Sequence, residues 1–201
     1  MNKIFITGGC GFVGSHLVEY LFKKYKKSKI IVYDKITYAA NPNYLKKIKK
    51  SKRLKIIIAD ILNYKKLLKH TKNTDLMIHA AAESHVDRSF ILNKKFIQTN
   101  VMGTRNVMEA SKINKIKKII HISTDEVYGE IYKGTFNESS NLKPSNPYSS
   151  SKAAAEMIVN DYRYSININK IKKLKWRPKH KLQDKISLVI DWYKKNYKLF
   201  K

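Results

Sequence analysis

Three short groups of residues in this sequence could do chemistry, and the first is Tyr148 with Lys152. They lie one helical turn apart, where the lysine charge would lower the pKa of the phenol and let tyrosinate act as a base near neutral pH. The spacing alone decides little, because three other pairs match it: Tyr20/Lys24, Tyr25/Lys29 and Tyr197/Lys201. Only the pair at 148 opens a predicted helix just after a strand and its loop, so context selects it.

The second group is Thr124-Asp125-Glu126, which follows a predicted strand. A hydroxyl and two carboxylates could supply a hydrogen-bond donor, a general acid and a general base. Consecutive residues at a strand end point in different directions, so each could address a different atom of one substrate. Without further context, an exposed acidic turn is the more common reading of such residues.

The third group is glycine-rich, with Gly8, Gly11 and Gly14 between a predicted strand and a predicted helix. Glycine serves where backbone must approach a pyrophosphate, and the helix N-terminus then offers free N–H groups to the phosphates. Asp34 follows the second strand, where a carboxylate binds ribose hydroxyls and favours NAD over NADP. Lys35 beside it leaves NADP open, and the alternative for the whole pattern is a structural turn with a surface Asp.

Alternating short β-branched runs and helical stretches must position these groups, which predicts parallel strands joined by helices. Strands are predicted at 3–7, 30–33, 54–58, 75–79 and 118–123, and helices at 12–25, 64–70, 94–113 and 147–162. Residues 124–146 are predicted to form a loop. Beyond 162, we expect a short extended piece at 163–168, a helical turn at 169–174 and a last helix at 181–197.

Composition excludes several classes of protein. The formal net charge is +27, but 37 of the 42 basic residues are Lys, whereas nucleic-acid readers favour Arg, so a Lys-biased surface is favoured over nucleic-acid binding. Cys10 is the one cysteine in the sequence, which excludes a disulfide scaffold and a multi-Cys metal site. The six histidines lack metal-ligand spacing. With no run of 18 apolar residues, we expect a cytoplasmic protein without a membrane span.

Several strings together resemble the dTDP-glucose 4,6-dehydratases of the extended short-chain dehydrogenase/reductase superfamily. AAESHVDRS at 81–89 and TDEVYG at 124–129 are highly specific, because related 4-epimerases and decarboxylases on this fold lack the Asp-Glu pair after the Thr. The resemblance covers about residues 1–162. It also rests on TGGCGFVGS at 7–15, DKITYA at 34–39, TNVMGT at 99–104 and PYSSSK at 147–152.

The resemblance implies a reaction and a role for each catalytic residue. Tyr148 would take the C4 hydroxyl proton while hydride leaves C4 for NAD, with Thr124 bonded to the C4 oxygen and Lys152 on the nicotinamide ribose. Glu126 would remove the C5 proton and Asp125 would protonate the departing C6 hydroxyl, after which hydride returns to C6. Family members pair as homodimers through the helices here at 94–113 and 147–162.

The resemblance also implies the binding residues. Ser84 and Thr124 would contact the nucleotide-sugar substrate. The residues implied to bind NAD, besides Tyr148 and Lys152, are Gly8, Gly11, Phe12, Val13, Gly14, Asp34, Lys35, Ile36, Thr37, Asp60, Ile61, Ala80, Ala81, Ala82, Glu83, Ser84 and Thr99.

The chain departs from the family after residue 162, where the sixth strand and most of the small substrate domain are missing. We therefore expect a Rossmann-like doubly wound parallel sheet lacking those parts, with an NAD-binding domain at 1–162 and a remnant of the C-terminal segment at 163–201. The fifth strand would then be an apolar sheet edge. Two hypotheses remain: a working dehydratase, which a partner chain could complete, or a catalytically impaired NAD-binding remnant that has lost the sugar-nucleotide site.

Overall fold

The computed structural model describes residues 1–166 apart from Tyr132 and Glu138, and side chains as far as residue 162 within that range. The helical turn at 169–174 and the helix at 181–197 lie outside the described residues. The proposed division at 162/163 therefore stays a prediction.

Five parallel strands form one sheet in the order β3-β2-β1-β4-β5. This confirms the predicted doubly wound class, because the chain adds strands to one side of β1 and then crosses to the other. Strand β2 extends one residue beyond each of its predicted limits, whereas β4 and β5 are one to three residues shorter than predicted. The strands are β1 Lys3–Thr7, β2 Lys29–Asp34, β3 Leu54–Ile58, β4 Leu76–His79 and β5 Ile119–His121.

The helices match the predicted pattern except in three places, the first of which is α3 (Val86–Ile91), a short helix that was not predicted. The single helix predicted at 94–113 is wrong, because a π-helical segment at Ile97–Gly103 interrupts it. The predicted extended piece at 163–168 is also wrong in its first four residues: nothing after Pro147 breaks the helix, which continues to Ile166. The helices are α1 Phe12–Lys24, α2 Tyr64–His70, α3 Val86–Ile91, α4 Asn93–Phe96, α5 Thr104–Ile113 and α6 Pro147–Ile166.

Two apolar layers hold the sheet between helices. On one face, Val18 and Leu21 of α1 pack against strand residues such as Ile6. On the other, Val107 of α5 packs with Phe5. Strand β1 is therefore covered on both faces, which explains its nearly continuous apolar sequence. Each such side chain contributes about 1.5–3 kcal/mol by burial, and this rigid sheet positions the loops at its carboxyl edge.

Within the described part of the chain, β5 has a neighbour on one side alone and forms an edge of the sheet. Ile119 is buried against the α5 layer, whereas Ile120 on the opposite face is 40% exposed. The edge is therefore apolar on the face that α1 covers elsewhere, as the sequence predicts. Among residues 1–166 as described, no helix is both long and apolar enough to cross a membrane.

Candidate functional site

The predicted site residues gather at the carboxyl edge of the sheet. The loops that follow β1 and β4 leave the sheet side by side there, because the strand order reverses between these two strands. A reversal of this kind opens a crevice outside the strand ends, which is where α/β sheets bind ligands. The glycine loop follows β1, the segment Ala80–Ser84 follows β4, and Thr124 follows β5.

The glycine loop is shaped by two close backbone approaches. Gly8 has φ +71°, and a Cβ atom there would lie 2.6 Å from the backbone nitrogen of Ala81. A Cβ atom on Gly14 would overlap the carbonyl oxygen of Gly8. Gly11 has room for a Cβ and directly precedes α1, so its lack of a side chain leaves space for a ligand at the helix N-terminus. The loop thus forms a cradle suited to a phosphate group.

Asp34 joins the glycine loop to the loop after β2. Its Oδ2 accepts the Cys10 N–H at 2.9 Å and its Oδ1 accepts the Ile36 N–H at 2.8 Å. Burial raises the pKa of the Asp34 carboxyl, and the bonds from Ile36 and Cys10 oppose that rise. Ile36 has φ +57°, a conformation that costs a β-branched residue about 1–2 kcal/mol. Strain at such a position is typical of a functional loop.

Lys35 does not present a free ammonium group beside Asp34. Its Nζ lies 2.6 Å from Oδ2 of Asp60, which follows β3. Asp60 is held in turn by the Leu62 N–H, which donates to its Oδ1 at 2.9 Å. The charge of Lys35, which could have bound a 2′-phosphate, is therefore neutralised by the Asp60 carboxylate.

The segment Ala80–Ser84 is clamped by Asn100, a buried residue of the π-helical segment. Asn100 Oδ1 accepts the Glu83 N–H at 2.8 Å, and its Nδ2 donates to the Glu83 carbonyl at 3.0 Å and to Ser151 Oγ at 2.9 Å. One amide thus ties the loop after β4 to α6. Sequence reasoning missed Asn100, and the available signal was its place in the TNVMGT string that carries the family resemblance.

Glu83 and the other implied cofactor residues occupy different environments. The Glu83 carboxylate forms an ion pair with Lys95 at 3.0 Å and accepts the Tyr38 hydroxyl at 3.3 Å, so its side chain holds the scaffold. Val13, in the first turn of α1, is 60% exposed. Ser84 is exposed, whereas Ile61 is buried. Half-buried positions at the same edge are Phe12, Thr37, Ala80, Ala81, Ala82 and Thr99.

The structure brings the candidate catalytic residues together. Thr124 caps a 3-10 turn at Asp125–Tyr128 within the predicted loop, and its Oγ1 accepts the Glu126 N–H at 3.3 Å. Its hydroxyl donates to Asp125 Oδ1 at 3.3 Å, and its side chain is near enough to that of Tyr148 to lower the pKa of the phenol. Glu126 Oε2 accepts a hydrogen bond from Asn146 Nδ2 at 3.1 Å. Asp125 is exposed at the same turn.

Asn146 is a second residue that sequence reasoning missed. Its Oδ1 accepts the Ser149 N–H at 2.8 Å, so it caps α6 while its Nδ2 holds Glu126. The signal was present, since an Asn directly before a Pro at the first helical position is typical of a helix start. One side chain therefore sets both the start of α6 and the orientation of the candidate base.

The predicted effect of Lys152 on Tyr148 is wrong for this conformation. The pKa of Tyr148 is raised: burial is the largest cause, Glu126 and Asp125 add to the rise, and the hydrogen bond with Thr124 opposes it. Lys152 Nζ instead donates to the Ile122 carbonyl at 2.7 Å. Tyr20 and Lys24, an exposed pair with the same spacing, do form a lysine–tyrosine hydrogen bond, with Lys24 Nζ 3.2 Å from the Tyr20 hydroxyl. Spacing therefore permits the contact without ensuring it.

Replacing Lys152 by Met should change the pH dependence of stability. Burial lowers the Lys152 pKa from 10.5 to about 8. The folded protein then holds this proton less tightly than the unfolded chain does. Burying the charged ammonium group therefore lowers the free energy of unfolding by the full amount below pH 8, and this loss disappears as the pH rises to 10.5. The shift corresponds to about 3 kcal/mol. We expect Lys152→Met to be more stable than wild type at pH 7, with the gain vanishing by pH 10.5.

Urea unfolding from pH 7 to 10.5 measures this difference. Lys65→Met, which makes the same change on an exposed turn of α2, serves as the control and should show a flat difference across the range. A flat difference for Lys152→Met as well would contradict the burial argument.

The donor set fits a dinucleotide better than a metal. Within the described residues, no three His, Cys, Asp or Glu side chains are grouped to hold an ion. The cradle at Gly8, Gly11 and Gly14 fits a pyrophosphate, and the Asp34 carboxylate lies at the end of β2 where a ribose would reach it.

Comparison with known proteins agrees with this geometry. The protein family described as GDP-mannose 4,6 dehydratase matches residues 5–174. The chain belongs to this family. The dTDP-D-glucose 4,6-dehydratase of Dictyostelium discoideum, a curated relative, is 44% identical over 181 residues, which span 84% of this chain and 42% of that protein. The chain thus spans less than half the length of this relative, and the predicted resemblance to dTDP-glucose 4,6-dehydratases is confirmed.

Solved structures agree on the fold. A double mutant of DesIV, the dTDP-glucose 4,6-dehydratase of Streptomyces venezuelae, was solved with NAD bound and is 35% identical, with a TM-score of 0.79 over 83% of this chain and 53% of that one. The dTDP-glucose 4,6-dehydratase of Bacillus anthracis, in complex with NAD, has a TM-score of 0.74 and 35% identity over 84% of this chain and 52% of that one. This chain therefore has the same fold as about half the length of each of these enzymes.

Proposed function

We propose that this chain binds NAD at the crevice between β1 and β4. The glycine cradle supports a pyrophosphate there, and Asp34, already fixed by two backbone N–H groups, has lone pairs left to accept from ribose hydroxyls. The ion pair between Lys35 and Asp60 favours NAD over NADP, because a 2′-phosphate would have to compete with the Asp60 carboxylate. The relatives solved with NAD support the same choice.

Changing Asp60 to Asn should relax this preference. The Lys35 ammonium would then be available to a 2′-phosphate, and we expect the affinity ratio of NADP to NAD to rise about two- to fivefold, the worth of one exposed charge pair. Isothermal titration with both dinucleotides measures the ratio. Asp161→Asn removes the same charge from an exposed turn of α6, about 20 Å along the helix from Pro147, and should leave the ratio unchanged. An unchanged ratio in Asp60→Asn would show that Lys35 does not face the ribose.

The proposed reaction is the dehydration of a nucleotide-sugar, dTDP-glucose to dTDP-4-keto-6-deoxyglucose. Tyr148 accepts the C4 hydroxyl proton, and Thr124, whose side chain lies next to that of Tyr148, donates to the C4 oxygen. NAD held by the glycine cradle and Asp34 would supply the hydride chemistry, by accepting hydride from C4 and returning it to C6. Glu126 removes the proton from C5, which the C4 ketone has acidified, and Asp125 protonates the C6 hydroxyl so that it leaves as water. When the hydride returns to C6, Glu126 gives a proton back to C5, so the sugar has lost one water with no net oxidation.

The observation that carries this proposal is the convergence of one hydroxyl, one phenol and two carboxylates at the end of β5. An elimination needs an acid and a base at separate positions. Asp125 is exposed toward solvent, whereas Glu126 is half-buried and oriented by Asn146, so the two carboxylates have different environments. That difference is what two carboxylates need if they are to take two roles.

The second candidate is NAD binding without turnover. It is favoured by the coverage, since the chain aligns with 42% of its Dictyostelium relative, and by the raised pKa of Tyr148. Incubating the purified chain with NAD and dTDP-glucose separates the two candidates. A product one water lighter by mass spectrometry supports the dehydratase. Tight NAD binding without product supports the second candidate for the isolated chain, and a partner chain supplying the rest of the enzyme would restore the product.

We also propose that the chain forms a homodimer through the helical segments 94–113 and 147–162. Apolar side chains on these segments are exposed, with Ile97 at 54%, Met102 at 51% and Met157 at 68%. The two segments contact each other, and exposed apolar side chains on packed helices are typical of an interface. Light scattering should therefore give twice the chain mass of 23.5 kDa.

Charged substitutions on this surface should separate the dimer. In the double variant Ile97→Lys/Met157→Lys, two ammonium groups would have to lose water at the interface, so we expect a monomer. Ile58→Lys, at a β3 residue that is 66% exposed, adds a charge to an equally exposed apolar position and should leave the dimer intact. A dimeric double variant would place the interface elsewhere.

A further inference from the structure

His79, the last residue of β4, is a fully enclosed polar side chain with a partner on each ring nitrogen. Its exposed fraction is 1%. Its Nδ1 lies 2.7 Å from Thr7 Oγ1 on β1, and its Nε2 lies 2.9 Å from Thr104 Oγ1 at the start of α5. The three preceding residues of β4 are apolar, so this polar contact in the interior stands out from its surroundings.

The direction of each hydrogen bond follows from its neighbours. Thr104 Oγ1 lies 2.5 Å from the Asn100 carbonyl, which can only accept, so the threonine proton is donated there. Thr104 must then accept from His79 Nε2–H. A neutral imidazole has one N–H, so Nδ1 accepts the Thr7 hydroxyl proton, and Thr7 Oγ1 accepts the Ala81 N–H at 3.3 Å.

The ring is neutral, which is the state this assignment needs. Burial is the largest cause that lowers the His79 pKa well below 6.5, and the nearby His121 and Lys152 lower it further. His121 pairs with His79 across β5 and β4, with ring centroids 5.2 Å apart, and burial lowers its own pKa to about 3. A proton on either ring would therefore be opposed by burial and by the charge of Lys152.

Both ends of this chain of hydrogen bonds reach the same segment. One end is the Ala81 N–H, and the other is the Asn100 carbonyl. The Asn100 side chain in turn hydrogen bonds to the backbone N–H and carbonyl of Glu83 and to the Ser151 hydroxyl on α6. The segment Ala80–Ser84 is thus held at two points by a path that passes through one imidazole.

We propose that His79, as the neutral Nε2–H tautomer, is a positioning residue that keeps Ala80–Ser84 in place against the glycine loop and the Tyr148 helix. The consequence for ligand binding rests on the proposed NAD site, whereas the hydrogen-bond assignment does not. An apolar residue at 79 would leave the Thr7 and Thr104 hydroxyls without this buried partner. The imidazole is suited to the task because it accepts on one side and donates on the other.

The test uses the full chain labelled with ¹⁵N in its histidines and backbone. Long-range ¹H–¹⁵N spectra should show His79 as the Nε2–H tautomer from pH 8 to pH 5. Thr104→Val should speed hydrogen exchange of the Ala81 and Glu83 amides by about tenfold, the effect of one hydrogen bond. The Nδ1–H tautomer, a protonated ring at pH 7 or unchanged exchange in Thr104→Val would each overturn the proposal.

A matched control separates positioning from loss of stability. Thr74→Val makes the same substitution at a buried threonine whose hydroxyl has no hydrogen-bond partner among the described residues, and it should leave the exchange of both amides unchanged. His79→Gln retains a donor toward Thr104 and should recover part of the protection that His79→Phe loses. If His79→Gln and His79→Phe exchange equally fast, His79 acts by packing alone and the proposal fails.

NAD titration distinguishes this proposal from the proposed function. If Thr104→Val binds NAD about tenfold more weakly and Thr74→Val binds it as tightly as the wild type, the positioning role and the proposed function are both supported. A wild-type chain that does not bind NAD, yet shows the predicted tautomer and exchange pattern, refutes the proposed function and leaves the positioning role supported.

Discussion

Replacing Tyr148 by Phe should lower kcat for the dehydration by about 10³-fold, within the range typical of a lost general base. The phenyl ring would keep its edge-to-face contact with Phe96, where the centroids are 6.3 Å apart, so the fold should not change. Because burial raises the Tyr148 pKa, kcat/KM of the wild type should rise toward alkaline pH, and the Phe variant should lose that rise.

A matched control is available in the same chain. Tyr20 also has a lysine four residues on, but the pair is exposed on α1 and far from the strand ends that carry the site. Tyr20→Phe should therefore leave both kcat and the pH profile unchanged. Equal losses in the two variants, or full activity in Tyr148→Phe, would remove Tyr148 from the mechanism.

Replacing Gly8 by Ala should have the largest effect on stability. The substitution combines an unfavourable φ of +71° with a Cβ placed 2.6 Å from the Ala81 backbone nitrogen, which cannot move without displacing the loop after β4. We expect a loss of more than about 4 kcal/mol, the range of exceptional single substitutions, together with loss of NAD binding. Urea unfolding and isothermal titration measure the two effects.

Gly134→Ala isolates the conformational part of that cost. Gly134 has φ +88° and no atom within 4 Å of an added Cβ, so the change should cost about 1–2 kcal/mol and leave NAD binding intact. The difference between the two variants is the cost of the backbone overlap. Similar losses in both would show that the loop after β4 yields, contrary to the clamp that Asn100 provides.

Much of the fold could be predicted because local signals agree with each other. The apolar run at Lys3–Thr7, the glycines after it and the periodicity that follows each indicate one βα unit, and the structure has it where predicted. Strand β3 and helix α2 also have the predicted limits. The residues of the site could be placed at one edge because parallel strands end together.

What could not be predicted depends on contacts between distant parts of the chain. The π-helical segment depends on contacts that its sequence does not reveal: Asn100 within it hydrogen bonds to Glu83, and Thr104 directly after it contacts His79. The orientation of Lys152 is a similar case, because periodicity places it on the face of Tyr148 while a free carbonyl at Ile122 captures its ammonium group. Side-chain orientation in a buried polar site is decided by available partners, which spacing does not reveal.

The fate of the hydrogen on C4 tests the central proposal most directly. With dTDP-glucose deuterated at C4, the chain and NAD, our account predicts a product one water lighter that carries the deuterium at C6, because the hydride taken from C4 is the one returned. Nuclear magnetic resonance locates the label. Loss of the deuterium to solvent, or a product that keeps it at C4, would contradict the assigned roles of Tyr148, Asp125 and Glu126.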